Sequence, residues 1–434
     1  MKKKQTDDER HAPTFVPKEE QPYEVPANWR WVRLRDVLTT SKEKSEDFSN
    51  STTKYVGLEH MEKDGGAITF GNAEELKSVK NVFHPGQILY GKLRPYLNKH
   101  GIAAFDGICS TDILVFNAMN NVHCKFVNNY LSLPTFIEYA AEQSKGINLP
   151  RVSENVVLAA PFPLPPFTEQ QRIVDRVERL FAALDAAREK AQAVLAGCET
   201  RKAAILHKAF TGELTTGWRT RNSKNIYTWE SKMLSECCVI GSGGTPSRKN
   251  PAYYEGNIPW IKTSEINWND IFDSEEKITA DAIENSSAKL YKTESVLVAM
   301  YGMGATRGRA AILKVEAATN QAVCVLQPKD YLKNRFLFYY FMYNYWSFRE
   351  QSIGGNQLNL SGTIIGGFRI KIPSPQEQVE IINILDGLLQ KERQVQTAAQ
   401  AVLSQIDALK RSILARAFRG ELGTNDPAEP PASL

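Results

Sequence analysis

The sequence predicts an α+β protein made by tandem duplication, in which two similar mixed domains alternate with two long helices. Residues 165–214 recur without a gap at 373–422, and both copies close with the sequence Ala-Phe-x-Gly-Glu-Leu. Each copy carries the apolar repeat of a long helix. The segment before each copy contains short apolar runs bounded by Gly, Pro, Asn and Asp, which are typical of β-rich domains. Together these observations predict the order domain, helix, domain, helix.

Each duplicated stretch is predicted to form one continuous helix. Prolines precede both helices, and Thr168 is a possible N-cap for the first one. A glycine follows each helix, at Gly212 in the first copy and at Gly420 in the second. The first helix is therefore expected to span about residues 168–210.

The apolar residues of the two helices recur at alternating steps of four and three, which is the heptad pattern of helices that pack on each other. In the first helix these seam residues are Ile173, Val177, Leu180, Leu184, Ala187, Ala191, Val194 and Cys198. In the second helix they are Ile381, Leu385, Leu388, Val395, Ala399, Val402, Ile406, Leu409 and Ile413. Because a domain lies between the helices, we expect them to run antiparallel as a coiled-coil rod with pseudo-two-fold symmetry.

Composition narrows the class of protein. A chain of 434 residues that is 42% hydrophobic is long enough for more than one packed core. The net charge of +4 means that contact with nucleic acid has to come from local cationic patches. Six cysteines without a CxxC pair predict reduced thiols. No apolar run approaches membrane length, so we expect a cytoplasmic protein without a membrane partner.

The two domains share a framework, although the second is about eight residues longer. Trp29 and Trp229 match at an offset of 200, whereas Ser153 and Ser361 match at 208. The predicted segments are a disordered N-terminal arm (1–26), a first domain (27–164), a first helical region (165–214), a linker (215–228), a second domain (229–372), a second helical region (373–422) and a C-terminal tail (423–434).

Several of these features resemble the specificity subunits of type I restriction-modification systems. The second domain carries Gly-Gly-Thr-Pro-Ser-Arg-Lys-Asn-Pro-Ala-Tyr-Tyr at 243–254 and Ile-Pro-Trp-Ile-Lys-Thr-Ser at 258–264, similar to the opening of many target-recognition domains of that family. The proline-rich lead, the Glu-Gln pair and the closing motif resemble its helical regions. The resemblance covers about residues 27–422. The first domain departs from it, because it lacks Gly-Gly-Thr-Pro.

The resemblance implies a non-catalytic DNA-recognition subunit. Such a subunit binds a bipartite target in double-stranded DNA with one half-site per recognition domain, and it docks two modification subunits and up to two restriction subunits. S-adenosylmethionine, ATP and Mg²⁺ are then expected in the partner subunits and no cofactor in this chain. A stand-alone DNA methyltransferase or nuclease with fused recognition domains is the alternative, and a duplicated protein-binding scaffold is a third possibility.

The sequence offers no catalytic or metal-binding residues. Leu164-Pro-Pro-Phe167 resembles the Asp/Asn-Pro-Pro-aromatic loop of amino-methyltransferases, but leucine cannot hold an amino group. The phosphate-loop pattern at 86–92 is followed by Leu93 where Ser or Thr would be needed. His123 and Cys124 have no second pair of ligands near them in the sequence.

Polar and cationic residues on glycine- and proline-marked loops are the candidates for DNA contact. Arginine can fork onto guanine, Asn or Gln onto adenine, and lysine chiefly neutralises phosphate. In the first domain the candidates are Lys92, Arg94, Lys99, Asn148 and Arg151. In the second domain they are Thr245, Ser247, Arg248, Lys249, Lys262, Arg307, Arg309, Gln357 and Asn359. The loops that carry Asn148, Arg151, Gln357 and Asn359 can equally serve only to close their domains.

Overall fold

A computed structural model describes residues 15–46, 53–73, 78–225, 228–302, 305–350 and 359–433. The chain divides into two compact units. Unit 1 comprises residues 1–192 and 401–434, and unit 2 comprises residues 193–400. Each unit therefore contains a part of each long helix.

The described residues of unit 1 form three small sheets. Its strands are β1 (Arg30–Arg33), β2 (Leu38–Thr40), β3 (Lys44–Ser45), β4 (Lys54–Val56), β5 (Gly71–Asn72), β6 (Lys80–Phe83), β7 (Ile88–Gly91), β8 (His100–Ile102), β9 (Gly107–Cys109), β10 (Ile113–Ala118) and β11 (Pro161–Leu164). They pair in the orders β1-β11, β2-β10-β7-β8 and β3-β6-β9-β4-β5. The short helices are α1 (Cys124–Leu131), α2 (Pro134–Glu142) and α3 (Glu154–Ala159), and α4 (Phe167–Phe210) is the first long helix.

Unit 2 repeats this plan with a different strand inventory. Its strands are β12 (Glu230–Met233), β13 (Cys238–Ser242), β14 (Ile258–Ile261), β15 (Asn269–Ile271), β16 (Lys277–Ile278), β17 (Leu290–Tyr291), β18 (Val296–Ala299), β19 (Ala310–Leu313), β20 (Ala317–Thr319), β21 (Val323–Pro328) and β22 (Arg369–Ile372). They pair in the orders β12-β22, β13-β21-β18-β19-β15 and β16-β14-β20-β17. Its helices are α5 (Thr216–Arg221), α6 (Leu234–Cys237), α7 (Ala280–Glu284), α8 (Asn334–Tyr343), α9 (Tyr345–Glu350), α10 (Gly362–Gly367) and the second long helix α11 (Pro375–Phe418).

The duplication is visible in strand register as well as in sequence. Arg30 pairs with Leu164 in the antiparallel β1-β11 ribbon. Glu230 pairs with Ile372 in the β12-β22 ribbon, which is the same register once the offsets of 200 and 208 are applied. In both units this ribbon leads directly into a long helix. The two frameworks are therefore copies of one design, as the sequence predicts.

The closing motif packs each long helix onto a domain. At the end of α11, the Phe418 ring lies 4.6 Å from that of Phe126 on α1, within unit 1. At the end of α4, Phe210 lies 5.1 Å from Phe336 on α8, within unit 2. Gly212 and Gly420 follow the helices with φ of 82° and 72°, in the left-handed region that favours glycine. The repeat of Ala-Phe-x-Gly thus reflects a repeated packing requirement.

The long helices run antiparallel within each unit. In unit 1, Arg188 pairs with Asp407, and the Lys410 ammonium lies 2.5 Å from the Asp185 carboxylate. In unit 2, Arg201 Nε lies 3.0 Å from Glu392 Oε1. Within unit 1, the residue number on α4 rises from 185 to 188 while that of the partner on α11 falls from 410 to 407. In unit 2, Leu206 and Ala209 near the end of α4 share a hydrophobic core with Ile381 and Leu385 near the start of α11. The predicted α+β class with two packed long helices is confirmed.

The predicted seam residues differ in how deeply they are buried. Ile173, Val177, Ile381, Leu385 and Ile406 are buried, as are Ala191, Cys198 and Ala399, while Leu180, Leu184, Leu388 and Ile413 are half-buried. Val194, Val395, Val402 and Leu409 are instead exposed by 37–49%. Leu389 and Leu414, which directly follow the half-buried seam residues Leu388 and Ile413, are buried. A helix of 3.6 residues per turn drifts away from a strict 3.5-residue repeat, which accounts for such one-residue shifts.

Two expectations at the chain and helix ends are corrected. Thr168 is not the N-cap, because α4 begins at Phe167 and the Thr168 hydroxyl donates to Glu429. Residues 15–26 of the expected disordered arm pack on unit 1. Val16 is buried and donates its backbone N–H to the carbonyl of Trp31, and the Tyr23 ring meets the Trp31 ring edge to face at 5.0 Å. A few apolar residues are enough to order a segment that is polar on average.

The C-terminal tail belongs to the core of unit 1. Ala432 is buried, and its N–H donates to the carbonyl of Asn28. The Trp29 indole N–H donates to the side chain of Asn425 at 3.1 Å. Within the described ranges, no helix combines the length and the apolar character needed to cross a bilayer.

Candidate nucleic-acid interface

In unit 1, the candidate residues lie on two loops that brace each other. The first loop is residues 92–99. The second, which we call the hairpin loop, is residues 145–151, where Lys145 and Arg151 exchange backbone hydrogen bonds of 3.0 and 2.9 Å. Arg94 N–H donates to the Pro150 carbonyl at 2.7 Å, so the two loops are joined through their backbones. The structure therefore brings Lys92, Arg94, Asn148 and Arg151 onto neighbouring loops.

These residues differ in side-chain exposure and in the contacts that they make within the unit. Arg94 and Asn148 are exposed. Arg151 pairs with Asp112 at 2.8 Å, but its side chain is still 55% exposed. The Lys99 ammonium donates to the carbonyl of Leu58, 2.5 Å away, which ties Lys99 to the interior of the unit. Arg94 and Asn148 are consequently the side chains best placed to meet a ligand.

In unit 2, the Gly-Gly-Thr-Pro motif is built on close backbone approach. A Cβ on Gly243 would lie 1.9 Å from the Thr319 carbonyl oxygen, and one on Gly244 would lie 2.4 Å from the Ser287 carbonyl carbon. The buried Trp260 indole donates to the carbonyl of Gly244 at 3.0 Å. Only glycine fits at these two positions. The motif thereby anchors the exposed residues that follow it, Thr245, Ser247, Arg248 and Lys249.

Arg248 and Lys262 share one carboxylate. The Arg248 guanidinium stacks 4.0 Å from the centre of the Tyr254 ring and pairs with Glu276 at 2.6 Å. Lys262 lies 3.1 Å from the other oxygen of Glu276. Burial opposes ionisation of Glu276, but hydrogen bonds from Arg248 and Lys262 outweigh it and hold the pKa of that carboxyl below its ordinary value. DNA phosphates would have to compete with Glu276 for both cations.

Arg307 and Arg309 belong to a second cationic cluster of unit 2. Arg309 donates to the side-chain oxygen of Asn267 at 2.6 Å. Arg349 of α9 donates to the Arg307 carbonyl at 3.0 Å, which places a third arginine beside the loop. Burial and the neighbouring Arg349 lower the pKa of Arg307 from its ordinary value. Concentrated positive charge of this kind favours an anionic ligand.

Sequence reasoning missed several residues of these surfaces. Arg349 lies over Trp346, at 5.8 Å from the ring, and the Trp346 side chain is 70% exposed. In unit 1 the missed residues are Tyr96 and Ile147, which are both exposed. The Trp-x-x-Arg spacing of α9 was the available signal, because residues three apart share a helix face. Among the remaining candidates, Asn359 is half-buried and Gln357 lies outside the described residues.

The Glu-Gln pair that marks both helix starts is buried and contributes to the fold. Gln170 donates to the carbonyls of Asn121 and Pro165 and accepts from the N–H of His123. Gln378 makes the same three bonds in unit 2, to Tyr331, Pro373 and Lys333. Each glutamine thus fixes a long helix to the loop before α1 or α8. In the part of the chain that the structure describes, no group of three or more His, Cys, Asp or Glu side chains is placed to hold a metal ion.

The sequence matches the family of the type I restriction modification DNA specificity domain at residues 26–195 and 227–402. The chain belongs to this family. The match covers both copies of the duplication, so this member of the specificity-domain family carries two such domains. The resemblance identified from the sequence is confirmed.

Individual relatives agree with this family. The chain is 35% identical to the type I restriction enzyme EcoDI specificity subunit of Escherichia coli over 201 residues, which is 46% of this chain and 45% of that subunit. It is 25% identical to the StySPI specificity subunit of Salmonella potsdam, over 66% of this chain and 63% of that subunit. The alignments thus span less than two thirds of the length of either relative.

Solved structures agree on the fold. The structure of the HsdS subunit from Thermoanaerobacter tengcongensis superimposes with a TM-score of 0.64 at 23% sequence identity, over 93% of this chain and all of that one. At that identity the similarity establishes the specificity-subunit fold for this member of the family.

Proposed function

We propose that this chain is the DNA-recognition component of a type I restriction-modification complex and that each domain reads one half of a bipartite site in double-stranded DNA. One observation carries the proposal. The two units share a framework down to the register of the β1-β11 and β12-β22 ribbons, yet their loop surfaces carry different cationic side chains. A common scaffold with different loops suits two readers of different sequences.

The domain limits that we propose are those of the sequence analysis. Residues 27–164 and 229–372 form the two target-recognition domains, and 165–214 and 373–422 form the conserved helical regions. Residues 215–228 link the halves and 423–434 form the tail. The helices α4 and α11 and the match to the specificity-domain family support these limits.

The chemistry of the system belongs, in this proposal, to other subunits. Two modification subunits would supply S-adenosylmethionine-dependent methylation of DNA, and up to two restriction subunits would use ATP and Mg²⁺. The sequence reads Leu164-Pro-Pro-Phe167 where an amino-methyltransferase needs a polar first residue, which supports a non-catalytic role. The relatives in Escherichia coli and Salmonella potsdam bear the name of specificity subunits, which supports the same division of labour.

DNA binding and methylation by the chain with its modification subunit test the proposal. Methylome sequencing of the host first supplies the target. The complex should then bind a duplex that contains this target, and log K should fall linearly with log salt concentration, because phosphate contacts release counterions. The purified chain alone should transfer no methyl group from labelled S-adenosylmethionine. Turnover by the pure chain, or equal affinity for duplexes with and without the target, would contradict the proposal.

A further inference from the structure

The hairpin loop of unit 1 presents an apolar side chain at its tip. Ile147 is 100% exposed and Leu149 is 57% exposed, although both are large hydrophobic residues. Covering such side chains with a ligand is favourable, because it removes apolar surface from water. The tip therefore has the character of a contact surface for a partner that is both anionic and locally apolar.

The tip is held in place by the backbone. Gly146 adopts a φ of 106°, and a Cβ there would lie 3.1 Å from the carbonyl oxygen of Leu149, so the turn requires glycine. The paired backbones of Lys145 and Arg151 close the loop, and Val152 N–H donates to the Lys92 carbonyl at 3.0 Å. Little conformational freedom remains to be lost when the tip meets a ligand.

The charges around the tip select the ligand. Lys145, Arg94 and Arg151 are exposed near it, and Asn148 follows Ile147 directly. The major groove of B-DNA lies between phosphates and exposes one hydrocarbon group on base edges, the 5-methyl group of thymine. The adenine paired with a thymine presents N6 and N7, which an asparagine can bind with two hydrogen bonds. An isoleucine next to an asparagine can thus contact the thymine methyl group and the adenine edge of one A·T pair.

We propose that Ile147 reads the 5-methyl group of a thymine in the half-site of the first recognition domain, while Arg94 and Lys145 hold the flanking phosphates. This inference rests on the proposed function, because it assumes that unit 1 binds duplex DNA. The second copy has Gly355 at the position of Ile147 and Asn356 at that of Asn148. Methyl reading at this loop position is consequently a property of the first half-site alone.

A double-mutant cycle between protein and DNA tests the contact. The chain is assembled with its modification subunit, and each thymine of the first half-site is replaced in turn by deoxyuridine, which lacks only the methyl group. At one position, deoxyuridine should weaken binding by the unaltered complex about fourfold, the effect of one buried methyl-sized group. Ile147→Ala should lose a similar factor on the thymine duplex and show no further loss on the deoxyuridine duplex at that position.

Controls separate the contact from folding and from the proposed function itself. Val239→Ala removes another exposed apolar side chain, in unit 2, and should leave deoxyuridine sensitivity unchanged. Independent, multiplying losses from Ile147→Ala and deoxyuridine at every thymine would overturn the inference, as would a first half-site without thymine. Fluorescence of 2-aminopurine that rises on binding and falls in Ile147→Ala would also overturn it, because Ile147 would then separate stacked bases. Failure of the unaltered complex to prefer its target would contradict the proposed function instead.

Discussion

Glu169 and Glu377 occupy the same place in the two copies, in the first turn of each long helix, and both side chains are fully buried. Their partners differ. In unit 2, Glu377 accepts from Thr215 at 2.7 Å, from Arg219 at 2.6 Å and from the Trp229 indole at 3.0 Å. Arg219 is itself almost buried, with its side chain 8% exposed. This carboxylate is neutralised by a cation that water hardly reaches.

In unit 1, Glu169 obtains its partners from elsewhere. It accepts from Thr424 of the C-terminal tail at 2.6 Å and from Arg172 of its own helix at 3.0 Å. The Arg172 side chain is 37% exposed, and it also forks onto Glu429 with two bonds of 2.8 Å. Both copies thus keep a buried acid, but the cation beside it comes from the linker in unit 2 and from the helix itself in unit 1, where the tail adds a hydroxyl.

Removing the buried arginine should have the largest effect. Arg219→Met leaves Glu377 charged and without its cation in the interior of unit 2, so we expect a loss of about 3 to 5 kcal/mol in the free energy of unfolding. Urea denaturation of the whole chain measures it. Arg221→Met, on the same short helix α5 but exposed, is the matched control and should change stability by less than about 0.5 kcal/mol. Equal effects of the two substitutions would refute the role given to Arg219.

The sequence could predict the acid but not its partners. Glu169 and Glu377 stand out because the duplication repeats them with the neighbouring glutamine. Thr215 and Arg219, however, align with Gly423 and Pro427, so the repeat does not show what neutralises Glu169. The partners Arg172 and Glu429 are far apart in the chain, and no local pattern joins them. The duplication therefore predicts the framework that both copies share, but it does not predict the tertiary ion pairs.

The candidate interface shows the same division between local pattern and tertiary contact. Turn chemistry placed Arg94, Asn148, Arg307 and Arg309 on loops, as the structure has them. It could not show that Lys99 reaches the Leu58 carbonyl, because those residues meet only in the folded unit. The heptad repeat, in turn, could not distinguish Ile406, which is buried, from Leu409, which is 49% exposed, since both residues fit it. Helix periodicity fixes a face only approximately.

Under the proposed function, we expect the DNA contacts, like the partners of the buried glutamate, to be particular to each unit. If Arg309 forks onto a base, Arg309→Ala should weaken binding by about 1 to 3 kcal/mol and relax specificity only in the half-site of the second domain. Competition assays with duplexes altered in one half-site at a time measure this. Lys371→Ala, which removes an exposed cation from β22, is the control for charge alone. Equal loss of discrimination in both half-sites would show that Arg309 does not read a base.

The partly exposed arginine of unit 1 should matter less than Arg219. In Arg172→Ala, Thr424 still donates to Glu169, and water can reach part of the vacated position. We expect a loss of roughly 1.5 kcal/mol in the free energy of unfolding, measured in urea. Arg176→Ala, an exposed arginine one turn later on α4, provides the comparison and should have little effect. A loss as large as that of Arg219→Met would mean that the difference in exposure between Arg172 and Arg219 does not affect their contributions to stability.

The smallest expected effect concerns Glu429, and it depends on pH. The Arg172 hydrogen bond holds the pKa of Glu429 below its ordinary value of 4.5. The carboxylate therefore stabilises the folded chain above that value, and its contribution disappears as pH falls through the lowered pKa. Burial raises the pKa of Glu169, so that acid has the opposite dependence, and its charged form costs stability as pH rises.

Glu429→Gln should cost about 1 kcal/mol or less at pH 7, because the pair is partly exposed. The difference from the unaltered chain should shrink between pH 5 and the lowest pH at which the chain stays folded, as denaturation series at several pH values would show. A difference that stays constant with pH would mean that the charge of Glu429 does not hold the tail, and that the neutral contacts of Thr424 and Asn425 are sufficient.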